Sequence, residues 1–360
     1  MKKKLKILVD YSPACRGEKT GIPLFVEHLY NELSEIDNIE VHKSFCVSKV
    51  IPIKIWKIYR FFEKSLYQNI YTSLKLKFGN YDIYIENQYM YNPLFKPKNV
   101  KVVNIIYDIG LALFDNIQTT KHTKNWRKNL PISINNSDII VTISKSSKDD
   151  IQNYLDDLNI VKPLDYIYAN VDRLENCQDN SILDKFNINS DYFLFLGTLE
   201  PRKNPLKLIE AFKIFKESNS SDIKLVFAGR KGWLYDEVLL FIKNNNLSDE
   251  VIFTGYISNQ EKSCLLYNTK AFLFLSIYEG FGMPPLEALS LSTPTLVSDI
   301  AVFRELFEDS VYYANPNNPE DIATEMERIL VEPPYINQDI FKKFSWELSA
   351  KKLVEIICKN

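Results

Sequence analysis

Short runs of β-branched and aromatic residues alternate with longer amphipathic stretches along the whole chain, and no other feature restricts the fold as much. The run AFLFL at 271–275 is apolar at every position, as expected of a strand buried on both faces of a parallel sheet. The stretch LFVEHLYNEL at 24–33 instead brings Leu24, Val26, Leu29, Tyr30 and Leu33 mostly to one helical face. Repeated in this order, such segments build α/β units around parallel strands.

Strands are expected at Leu5–Val9, Tyr81–Ile85, Val102–Ile106 and Ile139–Ile143. A helix from about Ser146 to Tyr154 opens in a segment whose hydroxyls can cap its amides. The texture changes from Arg173 onward, where RLENCQDNSILDKFNINSD is polar and rich in Asn and Asp. Beyond it a second series begins, with strands at Tyr192–Leu196, Lys224–Ala228, Val251–Thr254, Ala271–Leu275 and Thr295–Ser298. Helices are expected over Pro205–Lys216 and near Asp236–Asn244. A chain of 360 residues exceeds what one core usually serves, so two domains are expected. They run over 1–175 and 176–344, with a last helix, about 345–360, packing back on the first.

With 46% hydrophobic and 25% charged residues the chain has the composition of a soluble globular protein. A formal charge of −2 excludes a globally basic nucleic-acid binder, yet residues 1–170 carry 24 Lys/Arg against 18 Asp/Glu. That asymmetry suits different partners for the two halves. Cys15, Cys46, Cys177, Cys264 and Cys358 are odd in number, scattered and without a C-x-x-C pair. Such usage argues against a disulfide framework or zinc site and for a reducing compartment. His28, His42 and His122 offer little for a histidine-based metal site. The opening Met-Lys-Lys-Lys passes straight into LKILVD, too short for a signal segment, and no run of about 18 apolar residues occurs. A cytoplasmic protein is expected.

The chemistry concentrates after AFLFL, where Ser276-Ile277-Tyr278-Glu279 leads into Gly280-Phe281-Gly282, two prolines and the helical pattern LEAL. Strand, glycine loop and helix in that order belong at the carboxyl edge of a parallel sheet, where α/β proteins bind ligands. The glycines allow close backbone approach, and Pro285 is expected at the first helical position, where its missing N–H is not needed. The amides and positive dipole end of that helix suit a diphosphate. Glu279 and Glu287 bracket this anion site, and a carboxylate can accept both hydroxyls of a vicinal diol. Read alone, Glu287 could equally stabilise the helix start and Glu279 be solvated.

EGFGMPPLEA resembles the E-x7-E motif of the family-4 retaining glycosyltransferases. Other segments resemble that family in the correct order: TGIPLFVEHLYNEL, SDIIVTISKSSKDDI, GTLEPRKNPLKLIEAF, FAGRKGW, FTGYIS and FSWELSAKKLVEII. The resemblance implies a GT-B fold, two Rossmann-like α/β domains facing across a cleft. By the same resemblance Glu287 holds the donor ribose, and Glu279 holds hydroxyls of the transferred sugar. The amides of Gly280, Phe281, Gly282 and Met283 meet sugar and phosphate oxygens. Lys203 falls on the family's diphosphate lysine with Arg202 beside it, where cations stabilise the departing charge. Gly197 opens that segment, and Thr198 stands where relatives often carry an arginine. Gly21, with Ile22 behind it, lets the first loop approach the phosphates. Arg230 and Tyr256, Ile257 and Ser258 border the base pocket. Many relatives carry His-Asp where this chain has Tyr107-Asp108; His122 lies in a basic stretch and reads as a surface residue. The family's retaining reaction passes the acceptor proton to the departing phosphate, so Tyr107 does not imply an inactive protein.

Residues 49–77 carry seven Lys/Arg and one acid, Glu63, interleaved with Trp56, Tyr59, Phe61, Phe62 and Tyr67. Such a stretch can lie in an anionic membrane interface, or form helices with an apolar core face and a basic wet one. The function implied is transfer of a hexose from a nucleoside diphosphate sugar to a glycan or lipid-linked acceptor, without cofactor or metal. GDP-mannose is the first donor expected, with UDP- or dTDP-sugars next. An epimerase, a phosphorylase and a non-catalytic partner subunit of the same fold are the alternatives.

Overall fold

The computed structural model describes residues 4–15, 21–44, 64–87, 98–114, 120–177, 179, 181–219, 221–232 and 235–360; of 64–69 and 120–122 it describes the backbone alone. The chain divides into two compact units. One takes the residues up to Asn170, apart from 116–118, together with Phe341–Asn360; the other is centred on Val171–Ile340.

The first unit holds strands β1 (Leu5–Asp10), β2 (Ile39–Ser44), β3 (Ile83–Glu86), β4 (Lys101–Ile105), β5 (Ile139–Thr142) and β6 (Leu164–Tyr166). They form one sheet in the order β2-β1-β3-β4-β5-β6, with every pair parallel. Helix Gly21–Glu35 buries Phe25, Val26, Leu29 and Leu33, the stripe its sequence carries. Helix Lys145–Asp157 starts where the Ser144 hydroxyl accepts the Ser147 amide. Helix Trp346–Lys359 belongs to this unit: the Trp346 ring stacks on His28 at 5.0 Å, and the Ser349 hydroxyl donates to the Tyr168 carbonyl at 2.6 Å.

The second unit holds β7 (Tyr192–Leu196), β8 (Lys224–Ala228), β9 (Val251–Gly255), β10 (Ala271–Phe274), β11 (Thr295–Ser298) and β12 (Tyr312–Ala314). Their order is β12-β11-β10-β7-β8-β9, again all parallel. Every residue of YFLFL in β7 and AFLF in β10 is buried, as strands covered on both faces require. Phe193 packs edge-on against Phe215 at 5.3 Å, and Phe195 meets Phe227 at 5.1 Å with the rings tilted. Each such buried ring contributes about 1.5–3 kcal/mol.

The strand order places the site. From β7 the chain builds outward through β8 to β9, returns to the other side of β7 for β10, and then builds outward through β11 to β12. The connections leaving β7 and β10 therefore diverge, and a crevice opens beyond their carboxyl ends. In the first unit the same reversal falls between β1 and β3.

The α/β reading of the sequence holds, with three strands it did not name. All three, β2, β6 and β12, are sheet edges; β2 is partly exposed and polar, and the other two are three residues long. The basic stretch 49–77 lies largely outside the described residues. Its end forms helix Lys64–Phe78, in which Leu76 joins a core with Leu8, Tyr81 and Val102, and the Lys75 ammonium donates to the Lys43 carbonyl at 2.7 Å. Among the described residues no helix is long and apolar enough to cross a membrane.

Candidate functional site

Two strand ends meet at the reversal of the second sheet. After β7 come Gly197, Thr198, Leu199 and Glu200, then a tight turn over Pro201–Lys203 and, through Asn204 in a left-handed conformation, helix Pro205–Ser218. After β10 the loop runs through Glu279 to Gly282 and into helix Met283–Ser290. The Ile277 amide donates to the Arg202 carbonyl at 2.9 Å, so one loop is tied to the other. Gly229, at the end of β8, sits so close to β7 that a Cβ would lie 2.1 Å from the Gly197 carbonyl oxygen.

Gly282 caps the helix at φ +121°, and a Cβ there would meet the Phe303 ring at 2.7 Å. Both conditions demand glycine. The helix begins at Met283 rather than at Pro285, which corrects the expected start by two residues. Pro284 and Pro285 both fall in its first turn, where their missing N–H groups cost no intrahelical bond. Of its first three residues only Met283 carries an N–H, so fewer helix amides are on offer than the motif suggested. The Leu286 amide donates to the Gly282 carbonyl at 3.3 Å.

Glu279 is clamped. Lys203 Nζ lies 2.6 Å from its Oε1 and Arg202 Nη1 lies 2.7 Å from its Oε2. Arg202 also reaches the Tyr278 carbonyl at 3.2 Å and Glu200 Oε1 at 3.1 Å. The Glu279 side chain is only 10% exposed. Burial pushes its carboxyl up, but the charges of Arg202 and Lys203 and the Lys203 hydrogen bond bring it down to about 2. At neutral pH it is ionised, and the cations expected to meet a diphosphate are already assembled around it.

Glu287 lies one turn into the helix and is held by a different cation. Lys262 Nζ, from helix Asn259–Asn268, sits 2.5 Å from its Oε1. Burial raises the Glu287 carboxyl, Lys262 opposes that rise, and the charge of Asp172 adds to it. Tyr256 and Arg230, from adjacent strand ends, pair as ring and guanidinium at 5.1 Å, and the Tyr256 ring is 61% exposed. Ile257 is half-buried beside it. The Ser258 hydroxyl caps helix Asn259–Asn268 in a capping box with Glu261.

Of the expected site residues, Gly21, Tyr107 and Asp108 lie in the first unit. Gly21 opens its helix at φ +30°, with open space beside it. Tyr107 is buried; its ring meets Phe25 at 5.2 Å and its hydroxyl reaches Asn87 Oδ1 at 3.3 Å. Burial and the charges of Asp10 and Glu86 push that hydroxyl well above its ordinary value, so it stays protonated. Asp108 Oδ1 accepts the Gly110 amide at 3.0 Å. The side chain of His122 lies outside the described residues, as does Trp233.

Sequence reasoning did not find Lys262, Glu200, or the buried Asp10, Glu86 and Asn87 around Tyr107. S-x-x-E at Ser258–Glu261 marks the helix that carries Lys262, but nothing local points that lysine at Glu287. The cysteine reading is corrected as well: Cys177 and Cys264 are joined, with Cα atoms 4.7 Å apart. Their separation of 87 residues hides the pairing. It arises because the segment before β7 folds along helix Asn259–Asn268, where Ser263 bonds the Glu175 carbonyl and Asn268 the Cys177 carbonyl. Among the described residues no three His, Cys, Asp or Glu side chains gather as a metal centre would need.

Residues 179–343 match the family Glycosyl transferases group 1. The chain is 25% identical over 263 residues to O-antigen chain mannosyltransferase B of Escherichia coli, covering 69% of this chain and 67% of that protein. It is 30% identical over 235 residues to the serotype-specific mannosyltransferase WbdA of Escherichia coli, covering 61% of this chain. It spans only 28% of WbdA's length. The solved structure of Anabaena HepE in complex with UDP and glucose shares the fold, with a TM-score of 0.67 at 14% identity over 99% of this chain and 100% of that one. The family match, over 179–343, covers both clamped glutamates and their cations, and the chain is an α/β protein of the GT-B type.

Proposed function

We propose that the chain is a retaining hexosyltransferase that takes its sugar, mannose first, from a nucleoside diphosphate donor. Its acceptor is a glycan or lipid-linked oligosaccharide of surface polysaccharide synthesis. The observation that carries the reading is Glu279 held ionised between Arg202 and Lys203 at the sheet reversal. A donor diphosphate draws those two cations toward itself, and the carboxylate they release is free to accept hydroxyls of the sugar. As the anomeric C–O bond to phosphate breaks, Lys203 and Arg202 stabilise the charge that develops on the leaving diphosphate. The acceptor oxygen bonds the anomeric carbon on the same face, and its proton passes to the departing phosphate oxygen. The products are the extended glycan and a nucleoside diphosphate. Cations and amides of the chain fill the role of a divalent metal, and no cofactor is required.

Mannosyltransferase B and WbdA are mannosyltransferases of the O-antigen chain and of serotype specificity, which favours mannose and hence GDP. HepE was solved with UDP and glucose, which keeps UDP as the second base. Thermal-shift measurements with GDP, UDP, dTDP and ADP, followed by turnover of the matching sugar nucleotide with and without EDTA, test the reading. Stabilisation by none of the four would remove it. Glu279→Ala should abolish transfer while the nucleotide still binds, and Glu287→Ala should weaken the nucleotide itself; the reverse pattern would exchange the two roles.

A further inference from the structure

We propose that Lys262 is the positioning residue of the ribose pocket: it occupies one oxygen of Glu287, keeps that carboxylate charged, and leaves the other oxygen to the nucleotide's diol. The proposal rests on the donor reading above. Three observations support it. Lys262 Nζ lies 2.5 Å from Glu287 Oε1, and Glu287 is only 8% exposed, so little water reaches the pair. Lys262 is the fourth residue of helix Asn259–Asn268, whose start already has a complete capping box from Ser258 and Glu261. A cation so near a helix's positive end is disfavoured by the dipole, so local helix preference does not account for a lysine there. Its compensation comes from Glu287, on another helix. Finally, the same helix follows directly on Tyr256–Ser258, so one short rigid element would join the base end of the pocket to its ribose end.

Among the described residues, the charges that act on the Glu287 carboxyl include Lys262 and, in the segment before β7, Asp172. Without Lys262, burial and the Asp172 charge both favour the protonated acid. An ionised carboxylate only accepts hydrogen bonds, at about four lone-pair sites, so it can satisfy Lys262 and a diol together. The protonated acid has a donor where the diol also offers donors, and one diol bond is lost.

Calorimetric titration of the full chain with GDP and 2′-deoxy-GDP, from about pH 6 to about pH 8.5, tests this; if UDP is the base that stabilises the chain, UDP and its 2′-deoxy form replace them. In the unaltered protein affinity should be flat with pH, and the deoxy form should bind about tenfold or more weakly. Lys262→Met should lose about tenfold or more for the ribonucleotide at the acid end and regain it as pH rises. At the acid end it should also cease to distinguish the two nucleotides. Lys262→Arg should retain both the discrimination and the flat profile. A Lys262→Met protein within twofold of the original overturns the proposal, as does a loss equal for both nucleotides and independent of pH. An unaltered chain that binds no nucleoside diphosphate overturns the donor reading itself, and Lys262's role with it.

Discussion

Glu279→Gln keeps the shape of the side chain and removes the negative charge that Arg202 and Lys203 share. Two routes give the cost. The carboxyl is held at about 2 against an ordinary 4.5. At ~1.4 kcal/mol per unit that difference is worth about 3 kcal/mol at neutral pH. Removing one partner from a buried charge pair costs about 3–5 kcal/mol, and Glu200 remains beside Arg202 to hold the loss at the lower end. Because the folded value is depressed, the stabilisation is complete above about pH 4.5 and is lost as pH falls through about 2. The gap between the original chain and the variant should therefore be about 3 kcal/mol at pH 7 and about 1.5 kcal/mol at pH 3. Urea unfolding at several pH values measures it, with the two units fitted as separate transitions and the effect assigned to the second. A gap below about 1 kcal/mol at neutral pH, or one that does not narrow on acidification, would refute the clamp as a stabilising element.

Gly282→Ala places a Cβ at φ +121° and 2.7 Å from the Phe303 ring. Strain of about 1–3 kcal/mol and crowding of a similar size should add, and Phe303→Leu should relieve only the crowding; urea midpoints of the four proteins separate the two. Thiol titration of the unfolded, unreduced chain should find three of its five cysteines reactive, and reduction should lower the second unit's unfolding midpoint. Five reactive thiols without reductant would remove the Cys177–Cys264 link. For the basic stretch 49–77, co-sedimentation should show salt-sensitive binding to anionic vesicles and none to neutral ones; equal recovery with both would exclude an electrostatic membrane face.

Elements with one strong period were legible in the sequence, and the site's partnerships only in part. YFLFL, KLVFA and AFLF are apolar at nearly every position because both faces of a central parallel strand are covered, so they read as strands without any knowledge of the fold. At an edge such as β2 half of that cover is missing, and IEVHKS carries no uniform signal. Glu279 and Glu287 were legible as a pair because a loop and a helix start fix their spacing locally. Arg202 and Lys203 stand 76 residues before their bonding partners Tyr278 and Glu279. They meet Glu279 only because β10, the fourth strand of its unit, returns to pair with β7, the first. Alternation of strand and helix says that a parallel sheet forms, but every permutation of strand order satisfies the same alternation. Family resemblance carried Lys203 across that gap. Lys262 had no such motif, and its meeting with Glu287 depends on how the helix between β9 and β10 lies against the one after β10. The charge pairs that hold the two glutamates are thus a consequence of where the winding reverses, and a change in strand order would separate them while leaving every local sequence signal intact.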